Sequence, residues 1–292
     1  MQTKENYRYS FVIPHKNCLE LLKRCISTIP DEEDIQVIVV DDNSNSENGN
    51  FDDIGHGRKN GIEVYRLSEG QGAGAARNEG LRHATGHWVL FADADDMYTE
   101  QVSLLLDKYR FVNNVDIVYF CCEGLEEYNS WIFKYESGDF SVERKIRFNS
   151  WVPWNKIIRR GFISEYNLMF EEIPNGNDAK FSLLSSYFAK DIRVDTGLYY
   201  SYTPNNQGIT GKSKSLSEIL ETLPNKLKIL NFLTVVNASF PRYEKNVIPN
   251  FSLCYGLFRQ YGLYGLFTYC LTYRRLMRRV LLYDELVDLW QK

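Results

Sequence analysis

Short apolar runs alternate with segments of helical period over roughly the first 120 residues of the chain. Buried strands are expected where several apolar residues follow one another, and helices where apolar residues recur every three to four positions. The pattern predicts strands at 11–14, 35–40, 62–67, 89–92 and 116–121, and helices at 18–29, 73–84 and 100–111. Strands that alternate with helices in this way favour a mainly parallel sheet with helices on both of its faces.

The pattern changes in the second part of the chain. Segment 131–149 breaks into short strand-like pieces with Gly138 at a turn, which predicts antiparallel strands. Segment 151–170 is predicted to be mostly helical, 177–189 to be a helix and 199–204 to be a short strand. From residue 216 onward the chain is predicted to be mostly helical.

Polar residues stand where three of the predicted strands end. The first strand ends at Pro14, the second at the acidic pair 41–42, and the fourth at Asp93, Asp95 and Asp96. Parallel strands present their carboxyl ends at one edge of a sheet, where ligands bind. Crowded carboxylates repel one another unless a cation lies among them, and Mg²⁺ or Mn²⁺ takes oxygen ligands from carboxylates and substrate phosphates. The cluster predicts a divalent-metal site for a phosphorylated substrate; the alternative is an acidic turn.

Asp42 and the glycine-rich segment 70–80 each allow two interpretations. Asp42 is suited to accept hydrogen bonds from a base or a ribose, whereas the sequence around it is also typical of a turn. The glycines do not form a dinucleotide-binding motif, because they follow the third strand instead of the first. A glycine-rich loop that opens a helix still permits close approach of a phosphate. Arg77 and Asn78 are then either substrate contacts or residues that pin this helix to the acidic strand ends.

Composition and charge narrow the class of protein. The chain has 292 residues and a net charge of −4, so it lacks the basic field that nucleic-acid binding calls for. Its six cysteines form no CxxC pair, which argues against a zinc site and fits a reducing compartment. The N-terminal sequence lacks a signal-peptide pattern, and no uncharged apolar run is long enough to predict a transmembrane helix. We therefore expect a cytoplasmic protein.

Five short segments, at 11–14, 40–44, 74–80, 84–86 and 91–96, occur in this order along the chain. As an ordered set they closely resemble the family 2 glycosyltransferases, particularly those that build bacterial capsular and other surface polysaccharides. The resemblance covers about residues 8–210. It implies the GT-A fold, a mixed and mainly parallel α/β sheet with helices on both faces, and an inverting reaction with a nucleotide-sugar donor. It divides the chain into a catalytic domain at 1–212, with a donor-binding half at 1–120 and an acceptor half at 121–212, and a helical region at 213–292.

The resemblance assigns donor-binding roles to residues at the strand ends. Asp42 is expected to hold the donor's base or ribose, and Pro14 and His15 match the position where the nucleotide base packs. Asp93 and Asp95 match the family's DXD motif, which holds the donor diphosphate through Mn²⁺ or Mg²⁺. Asp95 or Asp96 is expected to be the nearest metal ligand. Arg77 completes the expected donor site.

The resemblance also assigns a general base. Asp178 matches the family's catalytic Asp, although the Glu that often precedes it is replaced by Asn177. Glu171 and Glu172 are the alternative candidates for the base, and Asp178 is alternatively a helix cap. Trp154, Asn155 and Glu171 are the residues expected at the acceptor. The alternative for Trp154 is that it packs in the core.

The C-terminal region suggests a membrane contact. Segment 251–281 is rich in aromatic residues, and Arg274, Arg275, Arg278 and Arg279 fall on one helical face. Such a helix suits peripheral binding to the inner face of an anionic membrane and an acceptor linked to a polyprenyl lipid; the alternative is a helix packed on the catalytic domain. The polar loop 203–215 is expected to order over the donor.

Together these features predict a glycosyltransferase that moves a sugar from a nucleotide-sugar to a glycan or lipid-linked glycan acceptor in surface polysaccharide synthesis. A UDP-sugar is expected because most members of the family use one. Two other classes of protein stay open from the sequence. One is a nucleotidyltransferase, which leaves Asp178 without a role, and the other is a non-catalytic binding module that keeps the fold.

Overall fold

The computed structural model describes residues 7–45, 50–51, 54–173, 176–203, 215–236, 238 and 244–280. The strands are β1 Tyr9–His15, β2 Ile35–Asp41, β3 Glu63–Arg66, β4 Trp88–Phe91, β5 Met97–Tyr98, β6 Ile117–Glu123, β7 Lys156–Arg159 and β8 Ile192–Ser201. The helices are α1 Leu19–Ser27, α2 Ala73–His83, α3 Val102–Tyr109, α4 Glu126–Glu136, α5 Glu143–Phe148, α6 Arg160–Glu165, α7 Asn177–Phe188, α8 Leu216–Val235 and α9 Phe251–Val280.

The eight strands form one sheet in the order β3-β2-β1-β4-β7-β6-β8-β5. The pairs β1–β2, β1–β4, β2–β3 and β6–β8 are parallel, whereas β4–β7, β6–β7 and β5–β8 are antiparallel. The predicted mixed, mainly parallel sheet is confirmed. The apolar runs become central strands because every residue of β1, β2 and β4 is buried, and strands covered on both faces read as continuous apolar runs.

Helices cover both faces of the sheet, as predicted. On one face, α1 and α3 contribute to a core cluster with residues of β1, β2 and β4, such as Leu22, Phe11 and Leu106. On the other face, α2 lies so close to β1 that a Cβ atom on Gly80 would come within 2.3 Å of a methyl group of Val12. The same face of the sheet carries Phe91 of β4, whose ring packs edge-on against Phe170 and Phe181, 5.0 and 5.4 Å between centroids.

The prediction of antiparallel strands at 131–149 is wrong. This segment forms the end of α4, a short 3₁₀ turn at Phe140–Val142 and α5. Its aromatic and β-branched residues favour strands by composition, but the buried positions Tyr128, Trp131 and Ile132 follow a helical spacing. Gly138, expected in a hairpin turn, instead has φ +98° just after the end of α4.

The prediction of a mostly helical segment at 151–170 is also wrong in part. The residues Lys156–Arg159 form β7, which lies between β4 and β6 in the centre of the sheet, and helix follows only at Arg160–Glu165. A central strand is buried on both faces, so it has no polar alternation by which the sequence distinguishes it from a buried helix.

The contacts within the chain separate two compact units, Met1–Asn205 and Asn206–Lys292. In the second unit, α8 begins with a capping box between Ser215 and Glu218, and α8 and α9 pack around Leu223, Leu227 and Tyr269. No helix among the described residues is long and apolar enough to cross a bilayer. The expected donor-covering loop lies almost wholly at 204–214, and the side chains of residues 278–280 are also outside the described part of the chain.

Candidate active site

The carboxyl ends of β1, β2 and β4 meet at one edge of the sheet. In the parallel register His15 lies beside Asp41, and Val12 lies beside Phe91, two residues before Asp93. The structure therefore brings the predicted strand-end residues together, as the parallel arrangement requires.

His15 is held by the neighbouring strand. Its Nδ1 lies 2.9 Å from an Asp41 carboxylate oxygen, and its Nε2 accepts a hydrogen bond from the Cys18 amide at 3.2 Å. Nε2 acts as an acceptor, so the ring proton is on Nδ1 and points to Asp41. Burial lowers the pKa of His15, and the bond to Asp41 opposes that shift. The imidazole therefore serves to join β1 to β2, a pairing that the sequence analysis missed although Asp41 is adjacent to the predicted Asp42.

Asp42 anchors the glycine-rich loop. One carboxylate oxygen accepts hydrogen bonds from the backbone N–H groups of Gln71 and Gly72, at 2.6 and 3.0 Å, and the other accepts one from Lys16 at 2.9 Å. Gly72 has φ +89°, which a residue with a side chain rarely adopts. Asp42 is buried, so this carboxylate fixes the loop beside the strand ends, and its contact with a nucleotide stays a prediction.

Arg77 joins the acidic strand end to the helix that carries the predicted base. Its guanidinium donates to Asp93 at 2.5 Å and to the side-chain oxygen of Asn177 at 2.8 Å, and lies 5.3 Å from the centre of the Phe170 ring. Nε of Arg77 is buried and has no hydrogen-bond partner among the described residues. Of the two roles left open by the sequence, the pinning role is present in the structure, and a substrate contact stays a prediction.

Asn78 has the same structural role on the next residue of α2. Its side chain forms a pair of hydrogen bonds with the backbone of Phe170, at 2.8 and 3.0 Å, and donates to a Glu172 carboxylate oxygen at 3.1 Å. The amide of Glu171 in turn donates to the Asn177 carbonyl at 3.1 Å. The segment before α7 is therefore held against α2 by side-chain and backbone bonds.

The three acidic residues after β4 have different environments. Asp96 is buried, and its two carboxylate oxygens accept hydrogen bonds from the Tyr200 hydroxyl at 3.0 Å and the Thr203 amide at 2.8 Å. Burial raises the pKa of Asp96 to about 7. The hydrogen bonds from Thr203 and Tyr200 lower this pKa, whereas the negative charges of Asp93 and Asp95 raise it further. The Asp93 and Asp95 side chains are partly exposed.

These environments bear on the expected metal. Among the described residues, no group of three or more His, Cys, Asp and Glu side chains is arranged to hold a cation. Asp93 and Asp95 fit a cation that takes one or two carboxylates and completes its coordination with phosphate oxygens. Asp96, also predicted as a ligand, has both oxygens directed at Tyr200 and Thr203, so its structural role is clear and its metal role stays a prediction.

Asp178 lies in the first turn of α7, directly after the residue that Arg77 contacts. Burial raises the pKa of Asp178, the positive charges of Arg77 and Lys156 lower it, and the negative charge of Asp93 raises it further. A carboxylate with a raised pKa takes up a proton more readily, which suits a general base. Of the alternative bases, Glu172 is exposed and one of its carboxylate oxygens accepts a hydrogen bond from Asn78, and a role for Glu171 stays a prediction.

The residues expected at the acceptor lie mostly in the core. The Trp154 side chain is buried and stacks on Tyr200, with 4.7 Å between ring centroids, and Tyr202 lies parallel to it at 5.9 Å. Asn155 is fully buried and donates to the Ser150 hydroxyl at 2.9 Å. Tyr202 is the exposed ring of this stack, so an aromatic surface for a sugar is available there and was not assigned from the sequence. Glu171 is partly exposed beside α2.

A family model described as Glycosyl transferase family 2 matches residues 10–166, more than half of the chain. The chain belongs to this family. The matched segment contains β1 to α6 and the acidic residues after β4, whereas Asp178 and α7 lie beyond it.

Two curated proteins named as glycosyltransferases are similar to this chain over about two thirds of its length. The poly(ribitol-phosphate) beta-glucosyltransferase of Bacillus spizizenii is 26% identical over 69% of this chain and 33% of that protein. The uncharacterized glycosyltransferase EpsJ of Bacillus subtilis is 27% identical over 68% of this chain and 62% of that protein. The chain therefore matches only one third and about three fifths of the lengths of these relatives.

Solved structures confirm the GT-A fold of this family 2 chain. Residues 1–349 of Staphylococcus aureus TarS in complex with UDP-GlcNAc superpose with a TM-score of 0.64, at 15% identity, covering 96% of this chain and 92% of that one. The mannosyltransferase PcManGT of Pyrobaculum calidifontis in complex with GDP-Man and Mn²⁺ gives a TM-score of 0.54, at 14% identity, covering 98% and 83%. At sequence identities this low, the similarity to these structures establishes the fold alone.

Proposed function

We propose that the protein is an inverting glycosyltransferase that moves a sugar from a nucleotide-sugar, a UDP-sugar in the first instance, to a glycan or lipid-linked glycan. The observation that carries the proposal is the bridge through Arg77, which joins Asp93 at the strand end to the helix that begins with Asn177 and Asp178. The bridge supports the proposal because it joins Asp93, the proposed donor-side carboxylate, to the first turn of the helix that carries Asp178, the proposed base. The similarity to the poly(ribitol-phosphate) beta-glucosyltransferase of Bacillus spizizenii supports surface polysaccharide synthesis as the setting.

Asp178 would act on the acceptor. A sugar hydroxyl is a poor nucleophile, so a positioned carboxylate takes its proton as the oxygen attacks the anomeric carbon of the donor. The bond from that carbon to the diphosphate oxygen breaks in the same step, on the opposite face, and the configuration inverts. The raised pKa of Asp178 favours proton uptake.

Pro14, His15 and Asp42 would position the nucleotide at the strand ends, and Arg77 would set the orientation of Asp93. Asp93 and Asp95 are the residues that would hold Mn²⁺ or Mg²⁺. A bound divalent cation supplies positive charge that stabilises the leaving nucleoside diphosphate. Tyr202 offers an exposed aromatic ring for the acceptor.

Calorimetric titration of UDP, GDP and CMP, with Mn²⁺ and with EDTA, tests the donor site. Metal-dependent binding of one nucleotide is expected, and Asp95→Asn should abolish it. Asp107→Asn is the matched control, because Asp107 is an exposed partner of Arg110 on α3. Equal nucleotide binding by wild type and Asp95→Asn would refute the metal assignment, and no binding of any nucleotide would favour a non-catalytic module.

Sugar transfer from the nucleotide-sugar identified in that titration tests the base. Asp178→Asn should keep donor binding and lose roughly 10²–10⁴-fold in rate, the usual contribution of a general base. Glu172→Gln, at an alternative candidate for the base in the same segment, should keep the wild-type rate. Full turnover by Asp178→Asn would move the base to Glu171 or Glu172, whereas incorporation of the nucleotide itself would indicate a nucleotidyltransferase.

The surface of α9 supports a peripheral contact with anionic lipid, as part of the same proposal. Its large exposed apolar side chains are Phe251, Tyr255, Phe258, Leu263, Tyr264, Phe267 and Leu271. α9 is interrupted at Gly262, where φ is +68°, and neither part of it contains an acidic residue. Arg259 is exposed in the first part, and Arg274 and Arg275 are exposed in the second part, which also carries Phe267. Apolar and basic residues on one helix surface favour the interface of an anionic bilayer.

Cosedimentation with phosphatidylglycerol and phosphatidylcholine vesicles tests this contact. Binding is expected to the anionic vesicles and to weaken in Phe267→Ser. Phe111→Ser is the control, since Phe111 is an even more exposed phenylalanine and belongs to the first unit. Absence of binding to either vesicle, or equal binding by Phe267→Ser and wild type, would refute a lipid contact through α9.

A further inference from the structure

Lys156 is a fully buried lysine in the middle of the sheet. It is the first residue of β7, none of its surface is exposed, and its Nζ has no hydrogen-bond partner among the described residues. Lysine is almost never fully buried without a partner, because transfer of an ammonium group from water is costly. Such a side chain calls for a functional explanation.

Lys156 lies on the face of the sheet that α7 covers. In the antiparallel register Lys156 lies directly beside Tyr119 of β6, and its Nζ is 5.5 Å from the centre of the Tyr119 ring. The Tyr119 hydroxyl is hydrogen-bonded to the Ser186 hydroxyl of α7 at 2.8 Å. The amine therefore lies between the sheet and the helix whose first turn carries Asp178.

The underside of α7 contains a second buried polar atom without a partner. Asp178, Ser182 and Ser186 are four residues apart and so share one face of the helix. The Ser182 hydroxyl is buried and has no hydrogen-bond partner within the described part of the chain. Hence an unpaired amine and an unpaired hydroxyl both lie in the layer beneath Asp178.

The charges around the two groups come from several elements. Asp178 faces Arg77 of α2, Asp93 at the end of β4 and Lys156 of β7. Lys156 faces Asp178 and the thiol of Cys122 in β6. Burial lowers the pKa of Lys156 to about 7, and the negative charge of Asp178 opposes that shift. The interaction of the two charges is thus attractive, and each favours the charged form of the other.

A direct contact between Lys156 and a substrate is excluded by its complete burial. A purely space-filling role does not require an amine, since a methionine fills the same volume without the cost of desolvation. We propose that Lys156 is a positioning residue for Asp178: its positive charge, acting through space from the sheet side of α7, keeps the Asp178 carboxylate ionised. This inference rests on the proposed function, in which Asp178 is the general base.

The pH profile of sugar transfer by Lys156→Met and wild type tests the inference. Loss of the nearby positive charge should move the acidic limb of kcat upward by about one pH unit, so that the rate below the limb falls about tenfold. UDP affinity should stay within about twofold, because Lys156 does not reach the donor side. Lys145→Met is the matched control, because the Lys145 Nζ also lies near an aromatic ring, 5.9 Å from the Trp131 centroid, but Lys145 is exposed.

A folded Lys156→Met with an unchanged acidic limb would overturn the inference, even if Asp178→Asn is inactive as proposed. If wild type itself transfers no sugar, the proposed function fails and the second measurement decides the inference by itself. That measurement follows the lysine carbon and nitrogen signals of the labelled protein by NMR, where the signal of Lys156 is expected to titrate with a pKa of about 7. Asp178→Asn should lower the pKa of Lys156 further, and an unchanged Lys156 titration would contradict the pairing. This measurement does not depend on the folding of a Lys156 variant.

Discussion

Gly74 tests the close contact between α2 and the segment that leads to Asp178. A Cβ atom at this position would lie 2.0 Å from the carbonyl oxygen of Glu171 and 3.0 Å from the Cβ of Asn177. The first distance is about 1.5 Å shorter than a normal nonbonded contact. The neighbouring atom belongs to the backbone, so it cannot rotate away as the end of a flexible side chain does.

The expected change in the free energy of unfolding for Gly74→Ala is the difference between two opposing effects. Alanine in a helix gains about 1 kcal/mol over glycine by restricting the unfolded chain. Overpacking costs about 1–3 kcal/mol, and the upper value applies because Phe170 and Glu171 are held by hydrogen bonds from Asn78 and to Asn177. The expected net loss in the free energy of unfolding is therefore roughly 2 kcal/mol.

Urea unfolding and sugar-transfer assays measure both consequences of Gly74→Ala. A displacement of about 1 Å at the base lowers the rate on the order of 10²-fold, so kcat should fall more than stability alone explains. Gly161→Ala is the control, because the nearest atom to its added Cβ is a side-chain nitrogen of Arg159, at 3.0 Å, that can move. A Gly74→Ala variant with wild-type stability and rate would refute the contact.

Three further changes test the groups around the acidic strand end. Arg77→Gln breaks the ion pair with Asp93, and thermal unfolding should show a loss of about 2 kcal/mol in the free energy of unfolding. This is less than for a fully buried pair, because the Asp93 side chain is 33% exposed. Arg82→Gln, which breaks a more exposed pair, should show little change. Tyr200→Phe leaves the buried Asp96 carboxylate without one donor and should cost about 1–3 kcal/mol by the same measurement. The folded pKa of Asp96, about 7, lies above its unfolded value, so its contribution to stability is complete below the unfolded pKa and is lost as pH rises through 7. In EDTA, the stability of Asp96→Asn relative to wild type should therefore rise with pH across this range, and a difference independent of pH would contradict the raised pKa.

The first part of the fold is predictable because local signals agree with the global arrangement. β1, β2 and β4 are buried along their whole length and mostly apolar, and Pro14, Asp41 and Asp93 stand at or within two residues of their ends, so the burial of each strand and the position of its end are both visible in the sequence. The later elements lack that agreement. Helix α4 is rich in aromatic residues that favour strands, and β7 is a short buried run that contains a lysine, so the final structure of each depends on its neighbours in the fold.

The candidate site is predictable to a similar extent. The sequence places Pro14, His15, Asp42, Asp93 and Asp95 at one edge, because this requires only strand direction. It does not reveal which side chains pair. The bonds from Arg77 to Asn177 and from Asn78 to Phe170 join residues 100 and 92 positions apart, and such pairs are decided by packing.

The replacement of the expected Glu by Asn177 changes how charge is distributed at the site. A glutamate at this position would offer Arg77 a second carboxylate, and the guanidinium would divide its charge between that residue and Asp93. Asn177 instead offers an uncharged oxygen at 2.8 Å, so Arg77 keeps its position while its charge acts on Asp93 and, through space, on Asp178. Because Asp178 is also affected by Lys156 from the sheet side, the ionisation of the proposed base depends on two cations from different elements. With Asn177 at this position, the Arg77 bridge forms without a second carboxylate beside Asp178, and Arg77 is the source of the positive charge that lowers the pKa of Asp178 most.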